Sequence, residues 1–358
     1  MEIPLSKIII DDEIKQAVLK VLSSGKFILG DETHEFEEKF AKFCNVKYSA
    51  CVNSGTSALF LTLKSLGVKT GDEIIVPSLS FIASATPILM CGAKPKFVDV
   101  NSKNYTIDPI EIEKSITKKT KGIIPVHLYG HAANMNKIKK IAKNNSLFVV
   151  EDAAQAHGAK YNDKMVGSLG DAAFFSFYPS KNLTVGGDGG IVVSNNKQIV
   201  ENVKMLRDHG RTEKYLHKNL GYNLRFNEIQ AAIGKIMLKK LHMRNKSRQK
   251  IAKKYNSLLT DNFIKPYEEK WASHVYHMYT IQTRDRDKLK LYLKKNGIDT
   301  GIHYPIPIHK QPLFKKYNKI ILPVTEEIAK TTLSLPMFPT LTDKQQQIII
   351  SAVNNFKN

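Results

Sequence analysis

Acidic residues are scarce relative to basic ones in this 358-residue chain: 33 Asp and Glu stand against 54 Lys and Arg, a formal net charge of +21. Cysteine is scarcer still. The three cysteines, Cys44, Cys51 and Cys91, offer neither a disulfide framework nor a CxxC pair for zinc, so no metal site is expected. That usage suits a reducing cytoplasm. No uncharged apolar run approaches membrane-spanning length, so no membrane partner is expected. The stretch MEIPLSKIII lacks the charged flank and apolar core of a signal peptide, which again suggests the cytoplasm. Internal repeats, low-complexity tracts and long linkers are missing too. A hydrophobic share of 42% is enough for a sizeable core, which excludes a disordered chain.

The excess of positive charge admits three readings: a nucleic-acid partner, an acidic substrate, or a generally lysine-rich surface. Its densest block, between Ile229 and Thr260, holds nine Lys/Arg and no acid. Apolar residues at Ile229, Ala232, Ile233, Ile236, Met237 and Leu241 fall there at helical spacing, which reads as a long amphipathic helix with a solvated basic face. No nucleic-acid-binding motif accompanies the charge, so that reading is the weakest of the three.

Between residues 55 and 195 short apolar runs alternate with helical patterns. Strands are expected at Ile74–Pro77, Lys96–Val100, Ile123–His127, Leu147–Val150, Ala173–Phe177 and Ile191–Ser194, and helices at Thr56–Leu66 and Asn136–Asn144. The alternation predicts an α/β fold, a mostly parallel central sheet covered by helices. A long helix at about 225–257 follows. Tyr276–Thr283 then reads as a strand, and Asp287–Asn296, Thr325–Thr332 and Asp343–Asn355 as helices. This suggests a large domain over 1–245 and a smaller C-terminal α/β domain over 246–358.

Ligands of such sheets bind beyond the C-terminal ends of the strands, so polar residues placed there are the candidates. Asn53-Ser54-Gly55-Thr56-Ser57 opens a helical pattern, and free N–H groups and hydroxyls at a helix start suit a phosphate, although ordinary N-capping explains the same residues. Glu151-Asp152-Ala-Ala-Gln155 follows an apolar strand. A carboxylate at a buried strand end is costly unless a cation such as a protonated pyridine nitrogen meets it. Gln155, about one turn on, reaches the same region. Ser176-Phe-Tyr-Pro-Ser-Lys181 runs on to Gly186, Gly187, Gly189 and Gly190, which sets a lysine between a strand end and a glycine-rich turn. Burial there lowers a lysine's pKa and makes its amine nucleophilic.

With these motifs in this order, the chain resembles the DegT/DnrJ/EryC1/StrS sugar aminotransferases, a branch of the fold-type I enzymes that use pyridoxal 5′-phosphate. The likeness runs from Gly30 with Phe36-Glu37 and Phe40-Ala41, through Pro77–Ala85, Val126–Gly130 and Gly221–Ala232, to His303–His309. It implies that Lys181 is the Schiff-base lysine and proton shuttle. Asp152 would pair with the pyridinium nitrogen, Gln155 would contact the ring's phenolic oxygen and Phe81 would stack on the ring. Gly55, Thr56, Ser57 and Ser176 would surround the phosphate. Asn223 would reach the cofactor of a neighbouring subunit, implying a homodimer. The implied substrates are L-glutamate and a nucleotide-linked keto-sugar, in amino-sugar biosynthesis. His209, Arg211, Tyr222, Arg225, His303, Tyr304, His309 and Tyr178 are candidates to hold them. Tyr178 stands where many members that aminate C4 have His, and the wording Tyr-Pro-Ser-Lys-Asn looks closer to members acting on 3-keto sugars. A non-catalytic regulator on the same fold, or a basic nucleic-acid-binding protein, remains as an alternative.

Overall fold

The computed structural model describes residues 2–357. Seven strands form the central sheet: β1 (Tyr48–Val52), β2 (Glu73–Pro77), β3 (Lys94–Val98), β4 (Thr120–Ile123), β5 (Phe148–Asp152), β6 (Ala172–Ser176) and β7 (Gly190–Ser194). Their order is β1-β7-β6-β5-β4-β2-β3. β7 alone runs against its neighbours; the other contacts are parallel. Parallel strands covered on both faces read as nearly unbroken apolar runs, which is why the alternation of the sequence was legible.

Two expected strands of the central sheet are placed differently, and outside it the strand expected at Tyr276–Thr283 spans only Tyr279–Gln282. The pairing of β4 ends at Ile123 rather than His127, because Pro125 has no N–H to give the ladder; contact resumes only as an isolated bridge of Val126 with Asp152. β3 starts two residues early and takes in Pro95, which the edge position tolerates.

Alternate side chains of each strand enter different cores. Val149, Ala173, Phe175, Ile191 and Val193 pack on one face with Phe36, Phe40 and Phe177. Val150, Phe174 and Val192 pack on the other with Leu59, Phe60 and Leu63 of the helix Gly55–Ser65.

The basic stretch forms one helix, Glu228–Leu258. Lys246, Lys250 and Lys253 are exposed, as a solvated basic face requires, but the rest of the charge is largely paired or buried. Lys235 pairs with Glu32 at 2.6 Å and Glu35 at 2.9 Å, Lys240 with Asp11 at 2.8 Å and Glu13 at 2.6 Å, and Lys254 with Asp343 at 3.0 Å. Arg244 and Arg248 are buried. The sequence block holds no acid, but acids distant in sequence lie across from it. This helix runs unbroken through residue 245. Its far end, Ile251, Ala252 and Tyr255, joins a separate core with Ile3, Leu289, Leu293, Ile349 and the antiparallel pair Tyr279–Gln282 and Thr332–Leu335.

Candidate active site

The helix Gly55–Ser65 begins hard against the sheet. Ser54 is its N-cap, its Oγ accepting from Ser57 N at 3.1 Å. A Cβ on Gly55 would lie 2.8 Å from Ser176 Cβ, and one on Gly190 would lie 2.5 Å from the Ser54 carbonyl oxygen. Glycine at these places lets the helix start dock on the ends of β6 and β7. Close approach, rather than a tight turn, is what Gly55 supplies. The positive end of the helix dipole therefore opens beside the Ser176 hydroxyl.

Asp152 ends β5 on the same face as Val150 and is buried. Ser84 Oγ donates to its Oδ2 at 2.6 Å and Ala154 N to its Oδ1 at 3.1 Å. Burial nevertheless holds the carboxyl above the usual range, although both hydrogen bonds and the charge of Lys181 pull it down. Gln155 is fixed on both sides: Tyr129 N donates to its Oε1 at 2.8 Å and its Nε2 donates to the Tyr304 hydroxyl at 3.0 Å.

Lys181 sits in the turn after β6, its N–H bonded to the Tyr178 carbonyl at 2.8 Å. The following residues anchor it. Asn182, Leu183 and Val185 are buried, so the chain at the lysine cannot swing to the surface. Burial lowers its ammonium pKa to about 8, against the opposing pull of Asp152. Near neutrality an appreciable fraction of the amine is therefore free and nucleophilic.

These groups line one cavity of about 440 Å³, together with Gly55, Thr56, Phe81, Ser176, Tyr178, His303 and Tyr304. Phe81 and Tyr178 are each more than half exposed, and the Phe81 ring lies 5.8 Å from that of Tyr304. Ser57 stays behind the wall with its hydroxyl 2.9 Å from Ser54 Oγ.

Other sequence candidates lie elsewhere. Arg211 and Arg225 both pair with Asp208, at 2.5 and 3.3 Å. Tyr222 packs its ring 5.0 Å from that of Phe60. His209 bonds through its backbone to the Tyr222 carbonyl, and Asn223 is exposed, accepting from Arg225 Nε at 3.1 Å. His309 is buried, 2.6 Å from Ser78 Oγ and 3.2 Å from Glu326. Sequence reasoning missed Ser80, Ser84, Asp188, His277 and Met278 in the lining. Ser84 could have been found from its place three residues after Phe81. His277 is distant in sequence and carries no local signal.

The donor set fits pyridoxal phosphate. A buried carboxylate held above its usual range makes no direct ion pair among the described residues, and a protonated ring nitrogen would supply one. A helix start and a hydroxyl offer an anion cradle, and a nucleophilic lysine shares the space. Fold and site together define an α/β transferase of the fold-type I pyridoxal-phosphate class. More narrowly, the profile of the DegT/DnrJ/EryC1/StrS aminotransferase family matches residues 8–354, and the chain belongs to that family.

Among curated relatives, a "pleiotropic regulatory protein" of Geobacillus stearothermophilus is 43% identical, covering 96% of this chain and 94% of its own. The dTDP-3-amino-3,4,6-trideoxy-alpha-D-glucose transaminase of Streptomyces venezuelae is 40% identical, over 96% and 92%. The crystal structure of S. venezuelae DesV with a ketimine intermediate superposes with a TM-score of 0.96 at 38% identity, covering all of both chains. No described helix is long and apolar enough to cross a membrane.

Proposed function

We propose that this aminotransferase moves an amino group from L-glutamate to C3 of a nucleotide-linked keto-sugar. The observation that carries the reading is the convergence of Lys181, Asp152, Gln155 and the start of the helix Gly55–Ser65 on one cavity. The choice of C3 rests on Tyr178 and on the 3-amino sugar in the name of the S. venezuelae relative.

Bound there, pyridoxal phosphate would supply an electron sink for the carbanion formed at the donor's Cα. Thr56 and Ser176 would hold its phosphate, with Ser57 behind them, and Phe81 would cover the ring. Asp152 would keep the ring nitrogen protonated, and Gln155 would offer Nε2 to the ring oxygen. Lys181 would hold the cofactor through its amine and, as the base at the site, would take up the donor's Cα proton on Nζ. His303, Tyr304 and Tyr178 flank the space left for the sugar. Asn223, exposed and outside its own chain's cavity, serves the cofactor phosphate of a second copy, so the working unit is a homodimer in the cytoplasm.

A regulatory role without turnover is the second reading, favoured by the name of the G. stearothermophilus relative and by no feature of the site. One experiment separates the two. The visible spectrum of the purified protein is recorded with pyridoxal phosphate, before and after L-glutamate, beside Lys181→Ala. A yellow wild type that bleaches with glutamate, and a variant that does not, supports the transaminase; a panel of 3-keto and 4-keto nucleotide sugars then tests the carbon. A protein that stays colourless, indistinguishable from the variant, overturns it.

A further inference from the structure

Between Lys181 and the helix Glu228–Leu258 lies a chain of polar groups whose directions are fixed one after another. Asn245 Nδ2 donates to the His157 carbonyl at 2.8 Å, which leaves Asn245 Oδ1 as an acceptor. Asn182 Nδ2 donates to that oxygen at 3.0 Å and to the Val275 carbonyl at 3.1 Å. Both amide hydrogens of Asn182 are thereby used, and its Oδ1 can only accept. It lies 3.3 Å from His277 Nδ1. Nδ1 must then carry the imidazole hydrogen and Nε2 the lone pair.

His277 is buried yet lines the cavity that holds Lys181, and Nε2 makes no hydrogen bond among the described residues. Its backbone is pinned as well, since Arg248 Nη1 donates to the carbonyls of Tyr276 at 3.3 Å and His277 at 3.4 Å. We propose that Nε2 of His277 is a neutral acceptor that holds the ammonium of Lys181 during turnover, and that Asn182 and Asn245 are positioning residues fixing its tautomer.

The inference rests on the reading of Lys181 as the reacting amine. Lys181, once it has taken a proton from substrate, is an ammonium in a cavity whose lining includes the carboxylate of Asp152. A neutral lone pair accepts one of its hydrogens and orients the others without adding charge. The strongest charge effects on His277 come from Lys181, Arg248, His303 and His157, all of them basic, while Asp152 and Tyr304 line the same cavity. Burial first, and then these neighbours, keep its imidazole well below its ordinary range, so it stays an acceptor at neutral pH.

The test uses the holoenzyme and the single-turnover bleaching of its visible band by L-glutamate. His277→Phe keeps a ring and removes the lone pair. The half-reaction should slow about 10- to 100-fold, with half-saturating glutamate and cofactor retention changed less than about threefold. His277→Gln, which restores an acceptor near Nε2, should recover most of the loss.

Asn182→Asp places a carboxylate against Nδ1 and favours the imidazolium, so the acidic limb of the pH–rate profile should move up by about a unit. A merely structural asparagine would not move it. A folded His277→Phe holoenzyme bleaching at the wild-type rate overturns the proposal; should that variant fail to fold, an unmoved profile in Asn182→Asp does so. Turnover by Lys181→Ala would instead sink the underlying reading of the lysine.

Discussion

Strand β5 ends in two carboxylates, Glu151 and Asp152, that face opposite sides of the sheet and meet opposite fates. Glu151 is closed in. His127 Nε2 lies 3.0 Å from its Oε2, and the N–H groups of Gly167, Leu169 and Gly170 donate to it at 3.0, 2.7 and 2.8 Å. Ala133 N donates to His127 Nδ1 at 2.9 Å, so the imidazole hydrogen sits on Nε2 and points at the carboxylate. Burial pushes the Glu151 carboxyl up, but these donors overcome it and hold the group below its usual range. Asp152, equally buried, accepts from Ser84 and Ala154 and ends above its range. One carboxylate finds donors enough within the fold to lie below its range; the other, with two hydrogen bonds and the more distant charge of Lys181, does not. A carboxyl that burial holds above its range on a cavity wall is the kind that marks a candidate ligand site, and its neighbour is the kind that stabilises the chain.

The comparison can be broken most severely at the cation across the cavity. Lys181→Ala should abolish transamination by a factor of about 10⁴ or more, read as loss of glutamate-dependent bleaching, while the protein stays folded. Next comes Asp152→Asn, for which the half-reaction should fall about 10²- to 10³-fold, since a neutral amide no longer holds a protonated ring nitrogen. The apo-protein should lose no stability. A carboxyl raised in the fold imposes a cost that appears as pH climbs past its unfolded value and is complete above its folded one. At neutral pH the amide removes that cost, so the melting temperature should hold or rise. A large fall in melting temperature would place Asp152 with Glu151 and erase the distinction.

Glu151→Gln is the mirror experiment, with a smaller effect on chemistry. It should destabilise the protein by about 3 kcal/mol, seen as a lower denaturation midpoint, and leave the half-reaction within a few-fold when measured well below melting. The sign of its pH dependence is opposite. Stability from a carboxyl lowered in the fold is present above its unfolded value and lost as pH falls through the folded one, so variant and wild type should converge in acid.

The sequence distinguished these two residues only through the family likeness, because Glu and Asp side by side after an apolar strand look alike. What decides between them is long-range: His127 and the turn at 167–170 on one side, Ser84 and Lys181 on the other. The sheet was legible for a local reason, since buried parallel strands are continuous apolar runs between helical patterns. β1 escaped because Tyr48-Ser-Ala-Cys-Val52 is weakly patterned and pairs with β7, some 140 residues on. The ion pairs of the long helix were hidden for the same reason: Glu32, Glu35, Asp11 and Glu13 reach it from far away in the chain. Lys181 and the glycines stood out because a strand end, a lysine and a close-approach turn are adjacent. His277 did not, as nothing local marks a histidine whose tautomer is set by two asparagines from other elements.

The finest separation of the two carboxylates lies in how each acts on the lysine. Asp152 raises the pKa of Lys181 against the larger lowering by burial, and Glu151 is not among the charges that move it. Capture of pyridoxal phosphate by apo-protein needs the free amine, so its rate should climb with pH through a midpoint near 8. Removing the carboxylate in Asp152→Asn takes away a group that favours the ammonium, and the midpoint should move to lower pH. In Glu151→Gln it should stay where it is. Stopped-flow absorbance over pH 6–10 reads all three proteins directly. A midpoint that shifts in the Glu151 variant and not in the Asp152 variant would mean that the charge sensed by the lysine comes from the wrong face of the sheet.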